Sequence, residues 1–288
     1  MIDSGLIKNE LLPSKKDIEF YNQYGWYKSP VIFSDEEIDQ AIKGANDFYD
    51  GKIDYPLPSK DGLADDVVDK KLVIRNNEFV TLQKKELRDL GWHPMIREIA
   101  KALTNSSQIR LFADSLVNKL PTEKTNEGIV GWHSDKAYWP TCSSDKILTA
   151  WIPLQECTIE MGPIVYIDGS HKWKDEEEMR QFFSFNSQDL ESLQVYLNNN
   201  KAGFKKSFMT LKKGQVSFHS CHTIHSSTSN TSNVARLALA VHLQDGGNQY
   251  QVAFKPNGEK IVIGYDEICA KDSEGNPDYS DTLMFPII

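Results

Sequence analysis

GQVSFHSCHTIHSSTSNTSNVARLALAVHLQ, residues 214–244, is the stretch whose reading decides the fold. Its two ends, GQVSFH and ARLALAVHLQ, are short and β-rich, and the segment between them, SSTSNTSNVA, is dense in turn-forming residues. That spacing predicts a hairpin, with His225 near the end of one strand and Arg236, eleven residues on, near the start of the next. Working outward, the same texture recurs in QIRLFADSLVNKL (108–120), ILTAWIPLQ (147–155), GPIVYIDGS (162–170) and KSFMTLKKGQVSFH (206–219). Several short strands punctuated by turn residues imply a sandwich or barrel.

Upstream the period changes. Ser14 is placed to cap a helix, KKDIEFYNQY, that Gly25 ends. Ser34 with Glu37 three residues later is a capping signature for SDEEIDQAIKGANDFYD. WYKSPVIF between them is short and extended. Residues 51–66 are rich in Pro, Gly and Asp and read as loop. KKLVIRNNEFV reads as a strand, and KKELRDLGWHPMIREIAKALTNS as a helix interrupted near Pro94. Residues 175–200 have a polar, helical pattern and form an inserted segment, read as a helical lid or a solvated packing helix, with Phe182 and Phe183 as pocket or core residues. EKIVIGY in the tail is one more β-like run. The whole is read as one α+β domain over residues 1–288, with a helical region at about 15–105 and a β core at about 106–250.

Composition narrows the function. A chain that is 40% hydrophobic and 25% charged is an ordinary globular protein, not a disordered or fibrous one. The 41 acidic against 32 basic residues give a net charge of −9, the wrong sign for a non-specific nucleic-acid binder or a polybasic membrane surface. No stretch reaches the ~20 apolar residues of a membrane helix. The opening MIDSGLIKNELLPSKKD has no apolar core of a secretory signal, so the expected location is cytoplasmic. Cys142, Cys157, Cys221 and Cys269 form no CxxC pair and read as buried, idle thiols.

The chemistry concentrates in two places. In GWHSDKAYW (131–139), His133 and Asp135 stand two apart, which on a strand puts imidazole and carboxylate on one face. Both are sound ligands for a divalent first-row metal. In the opening stretch, His219, His222 and His225 bring three of the chain's seven histidines within seven residues. On a straight strand His219 and His225 share a face and His222 takes the other, so all three cannot meet at one metal. Arg236 downstream is a natural clamp for a carboxylate. One His and one Asp two apart, a distal His and an Arg make a 2-His-1-carboxylate triad with a carboxylate anchor.

At this point the sequence resembles the phytanoyl-CoA dioxygenase family of Fe(II)/2-oxoglutarate oxygenases. The resemblance runs over about residues 15–245 and is carried by IEFYNQYGWYKSPVIFSDEEID, LVNKLP, GWHSD, TAWIPL, GPIVYIDGSHKW and IHSSTSNTS…AR in the family's order. It implies a double-stranded β-helix core, jelly-roll or cupin-like, with N-terminal helices. By motif it implies His133, Asp135 and His225 as catalytic iron ligands and Arg236 as the partner of the C5 carboxylate of 2-oxoglutarate. It further implies Ser227 as an assisting hydroxyl, with Trp151 and Lys119 near that co-substrate. The family's frequent His-Gly-Ser is here His225-Ser226-Ser227, a departure. Family members that halogenate carry a small residue where this chain has Asp135, so the resemblance implies hydroxylation, using Fe(II), 2-oxoglutarate and O₂ and releasing succinate and CO₂.

The family's substrates include acyl-CoA, amino acids, osmolytes and natural products. No basic cluster suits a CoA phosphate here, so a free, small, polar, nitrogen-containing molecule is expected, an alkaloid or amino-acid-like metabolite. Trp139, Tyr138, Arg75 and Asn77 are the expected substrate contacts, with Lys136 and Asn76 as neighbours that can also face it. His171 reads as structural or near the entrance, His219 and His222 as packed inside and outside the barrel, and His93 and His242 receive no role. Two other readings stand beside this one: a cupin-like Zn or Mn isomerase using His219, His222 and His225, and a non-catalytic binding module. Desaturation or cyclisation is not separable from hydroxylation at this level.

Overall fold

A computed structural model describes residues 6–59, 63, 73–123, 127–173, 192–201, 203–255 and 257–288. The chain opens with helix α1 (Lys15–Tyr24), strand β1 (Trp26–Val31) and helix α2 (Asp35–Tyr49). Both helix starts are capping boxes: Ser14 with Asp17, and Ser34 with Glu37, each exchange hydrogen bonds between side chain and backbone. Gly25 ends α1 in the left-handed conformation. Next come β2 (Ile74–Glu78) and the short helices α3 (Val80–Gln83), α4 (Lys85–Gly91) and α5 (Pro94–Thr104). Pro94 does not break one long helix; it starts α5 as its first residue, where its missing N–H costs nothing.

The β core follows: β3 (Ile109–Lys119), β4 (Val130–His133), β5 (Leu148–Pro153), β6 (Ile164–Ile167), α6 (Ser192–Asn200), β7 (Lys206–Phe208), β8 (Gln215–Ser220), β9 (His225–Ser227) and β10 (Arg236–Asp245). They form two antiparallel sheets, a large one ordered β1-β8-β5-β10-β3-β2 and a small one ordered β4-β9-β6-β7. This is the jelly-roll arrangement of two facing sheets.

The hairpin expected across residues 225–236 is not formed. β9 pairs with β4 and β6 in the small sheet, and β10 pairs with β3 and β5 in the large one. The turn-rich segment instead carries the chain from one sheet to the other. Asn230 organises this crossing: its amide donates to the carbonyls of Lys119 and Val234, and its own oxygen accepts from Ser232. The crossing has a functional consequence, because it sets His225 and Arg236 on opposite walls of the barrel.

Strand parity divides the large sheet into two faces. On β10, Leu239, Val241 and Leu243 lie on the outer face and are completely buried. α4 covers that face: Gly91 lies so close to Leu239 and Val241 that a side chain there would press on both. Ile96, Ile99 and Leu103 of α5 join the same core. Each such fully buried aliphatic side chain contributes about 1.5–3 kcal/mol. Arg236, Ala238, Ala240 and His242 alternate with them and face the small sheet.

The tail closes the far end. EKIVIGY is not a strand: Lys260 makes one bridge to Phe254, and Gly264–Ile268 turn into helix α7, with Asp266 accepting from the Ile263 N–H. The last residues run along β3, with Phe285 stacked on Phe112 at 5.6 Å. All four cysteines are buried and free. Among the described residues no helix is long and apolar enough to cross a membrane. Of the inserted segment 175–200, residues 192–200 form α6; Phe182 and Phe183 lie outside the described residues.

Candidate metal centre and anion pocket

His133, Asp135 and His225 come together as a group able to hold a metal ion, with one ligand atom from each lying within 4.8 Å of the others. Their convergence differs from the simple strand pattern. His133 is the last residue of β4, and Asp135 already begins a single 3₁₀ turn. His225 opens β9 and sits directly opposite His133 in the antiparallel pair. The ring centroids are 4.2 Å apart.

The hydrogen bonds fix which atoms face the centre. His133 Nδ1 lies 2.8 Å from the Gly131 carbonyl, and His225 Nδ1 lies 2.9 Å from the Thr223 carbonyl. A carbonyl only accepts, so each Nδ1 carries the hydrogen and each Nε2 presents a lone pair inward. Such outer partners orient metal-binding histidines. Burial lowers the pKa of both, that of His225 well below the ordinary histidine value, so both rings are neutral. Asp135 is held on one side: its Oδ2 accepts from Thr149 Oγ1 at 2.5 Å and from His219 Nε2 at 3.1 Å. Its Oδ1 is the oxygen nearest His225 Nε2, at 3.5 Å. Burial opposes its ionisation, but the imidazoles of His225, His219 and His242 outweigh that and hold its carboxyl well below the usual range. Two neutral imidazole lone pairs and one carboxylate oxygen fit a first-row divalent cation.

Three residues around this group carry more structure than the sequence suggested. His219 is indeed packed inside the barrel, but it is tied to the metal group: Tyr166 OH lies 2.9 Å from its Nδ1, and Ser217 Oγ lies 3.0 Å from that hydroxyl. His242, which had no role in the sequence reading, has Nδ1 at 2.8 Å from Thr149 Oγ1, and burial lowers its pKa to about 4. Thr149 links the two systems. Parity could have found His242, since it lies six residues after Arg236 on the same face of the same strand. His222 points elsewhere, to Asp145 at 2.8 Å, so His219, His222 and His225 do not converge.

Two residues beyond His225, Ser227 meets a pair of buried cations. Arg236 and Lys119 are register partners on β10 and β3, and both are buried. Lys119 Nζ donates to Ser227 Oγ at 2.7 Å and to the Thr228 carbonyl at 2.6 Å. Arg236 Nη1 donates to the Gly162 carbonyl, and its Nε is buried without a hydrogen-bond partner among the described residues. Among the described residues neither cation has a carboxylate within ion-pair reach. Burial, reinforced by the Arg236 charge, pushes the Lys119 pKa well below its ordinary value, and burial lowers that of Arg236 to about 10. The Arg236 guanidinium carbon lies 5.4 Å from the centre of the Trp151 ring.

The expected substrate contacts separate. Tyr138 stands edge-on to His133 at 5.4 Å, beside the metal group. Trp139 does not line the mouth: it is buried in the main core, edge-on to Phe112 at 5.2 Å and against His242 at 4.8 Å. Arg75 and Asn77 face away from the centre. Ile74 is the register partner of Lys119, so Ile74, Asn76 and Glu78 share the inner face while Arg75 and Asn77 take the outer one. Arg75 stacks on Tyr49 of α2 at 3.9 Å, and Asn77 is buried. Lys136 is a loop clasp, donating to the carbonyls of Cys142 and Ser144. His171 reaches the Asn22 carbonyl, and His93 caps α5.

The family model "Phytanoyl-CoA dioxygenase (PhyH)" matches residues 21–238. No curated protein matches the chain. Among solved structures, the non-heme alpha ketoglutarate dependent carbocyclase SnoK from nogalamycin biosynthesis is similar over 96% of each chain, at 21% identity and a TM-score of 0.70. The epimerase SnoN, solved with Fe3+, alpha ketoglutarate and nogalamycin RO, is similar at 20% identity, over 95% of this chain and 97% of its own, with a TM-score of 0.66. EctD from S. alaskensis, solved with 2-oxoglutarate and 5-hydroxyectoine, is similar at 19% identity, over 88% and 84%, with a TM-score of 0.66. At these identities the likeness establishes the fold.

Proposed function

This chain belongs to the phytanoyl-CoA dioxygenase family, and from that premise we propose that it is an Fe(II)/2-oxoglutarate-dependent oxygenase that hydroxylates a small, polar, nitrogen-containing molecule. The observation that carries the reading is the pairing of two buried cations, with no carboxylate partner among the described residues, with a neutral-His, neutral-His, carboxylate group in one barrel. Buried charges without partners are costly. Arg236 and Lys119 therefore call for a bound anion, and a dicarboxylate that spans from them to the metal group is the anion the geometry suits.

His133, Asp135 and His225 would hold the iron. Iron(II) there supplies, with 2-oxoglutarate and O₂, the oxidising power for attack on an unactivated C–H bond. The chain's own residues orient and exclude. Arg236 grips the far carboxylate with its planar fork, and Lys119, steadied by Ser227, adds a second charge. Trp151, Met161, Tyr166, Met209 and Leu211 pack into one buried cluster beside Arg236, which would shield a bound co-substrate from water. His219 and Thr149 keep Asp135 Oδ2 occupied so that Oδ1 is the oxygen offered inward. SnoK and SnoN are a carbocyclase and an epimerase, and EctD was solved with a hydroxylated molecule. Asp135, whose carboxylate completes the triad, favours an oxygenase over a halogenase, and hydroxylation is the outcome proposed for it.

An anaerobic absorbance titration tests this. Fe(II) and then 2-oxoglutarate are added to the apo-protein, and the weak visible charge-transfer band of the chelate is followed. The band is expected with the wild type and is expected to vanish in Asp135→Ala. A protein that binds iron but gives no band with 2-oxoglutarate would falsify the reading.

A further inference from the structure

The barrel interior beside the metal group is open on one flank. Val117 and Ala240, on the inner face of the large sheet, stay partly exposed although their outer-face neighbours Leu116, Leu239 and Val241 are completely buried. The exposure therefore lies on the inner side. The side chains of His133, His225 and His242 keep 12%, 8% and 13% of their surface accessible.

The hydrogen-bond pattern fixes the tautomer of His242. Thr149 Oγ1 has one hydrogen, and the Asp135 carboxylate only accepts, so that hydrogen goes to Asp135. Toward His242, Thr149 is left with a lone pair, so His242 Nδ1 is the donor across the 2.8 Å contact. A neutral imidazole has one N–H. His242 Nε2 is thus a bare acceptor. It has no hydrogen-bond partner among the described residues and is not among the buried, sealed-off polar atoms. Trp139, edge-on at 4.8 Å, holds the ring in place. The same inner face adds a carboxylate at its β2 edge, since Glu78 is in register with Ser115 and, through it, with Ala240; Glu78 Oε1 accepts from Tyr265 OH at 2.7 Å.

We propose that His242 Nε2 is the acceptor that orients the substrate beside the metal, and that the substrate class is a small molecule presenting an N–H or O–H donor (an amine, guanidine or alcohol) next to the carbon that reacts. This rests on the oxygenase reading above. It makes His242 a binding residue on the substrate side, while its Nδ1 steadies Thr149 on the metal side.

The test uses the full chain loaded with Zn(II) and 2-oxoglutarate, with ¹⁵N-labelled histidine. A rise in Tm on adding 2-oxoglutarate first checks the co-substrate reading by itself; without it, both readings fall. With it, long-range ¹⁵N–¹H spectra, assigned by His242→Asn, report the state of His242 Nε2. It is expected to be unprotonated and to shift on adding ethylamine, methylguanidine or ethanol, but not acetone. In His242→Asn the amide nitrogen replaces Nδ1 and nothing replaces Nε2, so saturation transfer to the donor probes should fall at least tenfold. A protonated Nε2, an equal response to acetone, no response to any donor, or undiminished saturation transfer in the variant overturns this inference alone.

Discussion

Lys119 and Arg236 face one another as register partners on β3 and β10, both buried, and among the described residues no carboxylate lies within ion-pair reach of either. Two like charges in that position oppose folding and favour an anion. The two effects must separate in a variant. Lys119→Met is expected to leave the ligand-free protein as stable as the wild type or more so, while weakening 2-oxoglutarate binding about 10–100-fold, the range of one charge-assisted hydrogen bond. Thermal melts with and without 2-oxoglutarate check both. A ligand-free Lys119→Met that is much less stable would mean the ammonium is structural.

The same lysine gives a pH signature. Its folded pKa lies below its unfolded one, so between the two values the unfolded chain binds more protons and stability rises with pH. The wild type minus Lys119→Met stability difference should therefore move in the wild type's favour as pH climbs toward the ordinary lysine value of 10.5. Bound 2-oxoglutarate restores the charged form and should flatten that slope. Urea midpoints at a series of alkaline pH values read it directly.

At the acid end the sign comes from the imidazoles. His133, His225 and His242 all titrate below 6.5 in the folded chain, His242 at about 4, because burial disfavours their charged forms. The unfolded chain then binds more protons below 6.5, so the stability they leave intact at neutral pH is lost as pH falls from 6.5 toward 4. Each contributes up to roughly 1.4 kcal/mol per pH unit. Replacing His242 by Phe should make the acid limb shallower. An unchanged limb would show that this ring is not held neutral.

Thr149→Val removes one of the two donors on Asp135 Oδ2 with little change of shape. Outer partners of a metal ligand are worth about 10–100-fold in metal affinity. A Co(II) titration should weaken by that factor, with the fold unchanged by circular dichroism. Unaltered Co(II) affinity would mean that His219 alone positions the carboxylate.

Much of this site was legible because its chemistry is written in short-range spacing. His133 and Asp135 two apart, and Arg236 eleven after His225, stand out in one dimension. What was not legible depends on which sheet a strand joins. The turn-rich segment 226–235 suits a hairpin as well as a crossing, and only the pairing of β9 with β4 decides between them. Arg75 and Asn77 fall on the outer face for a related reason: a one-residue difference in parity exchanges them for Asn76 and Glu78. Trp139 follows the His-x-Asp pair but packs into the core, where it ends the 3₁₀ turn at 135–138. His242 sits inside an apolar strand pattern, where nothing local separates a histidine tied to the metal group from a packed one.

Gly162 ties backbone geometry to the anion pocket and yields the last expectation. It sits at φ +64°, where a side chain is strained, and a Cβ there would lie 2.3 Å from the Thr228 carbonyl oxygen and 2.7 Å from that of Ser229. Those carbonyls belong to the crossing segment and cannot swing aside as a side chain tip can. The Gly162 carbonyl also receives Arg236 Nη1, and the Thr228 carbonyl receives Lys119 Nζ. Gly162→Ala therefore pushes on the acceptors that place both cations. Backbone strain alone costs about 1–2 kcal/mol. The variant should melt lower and lose 2-oxoglutarate affinity, yet keep its Co(II) affinity, because His133, Asp135 and His225 are anchored by β4 and the start of β9. Loss of Co(II) binding in step with 2-oxoglutarate binding would show that the two halves of the site fold as one unit.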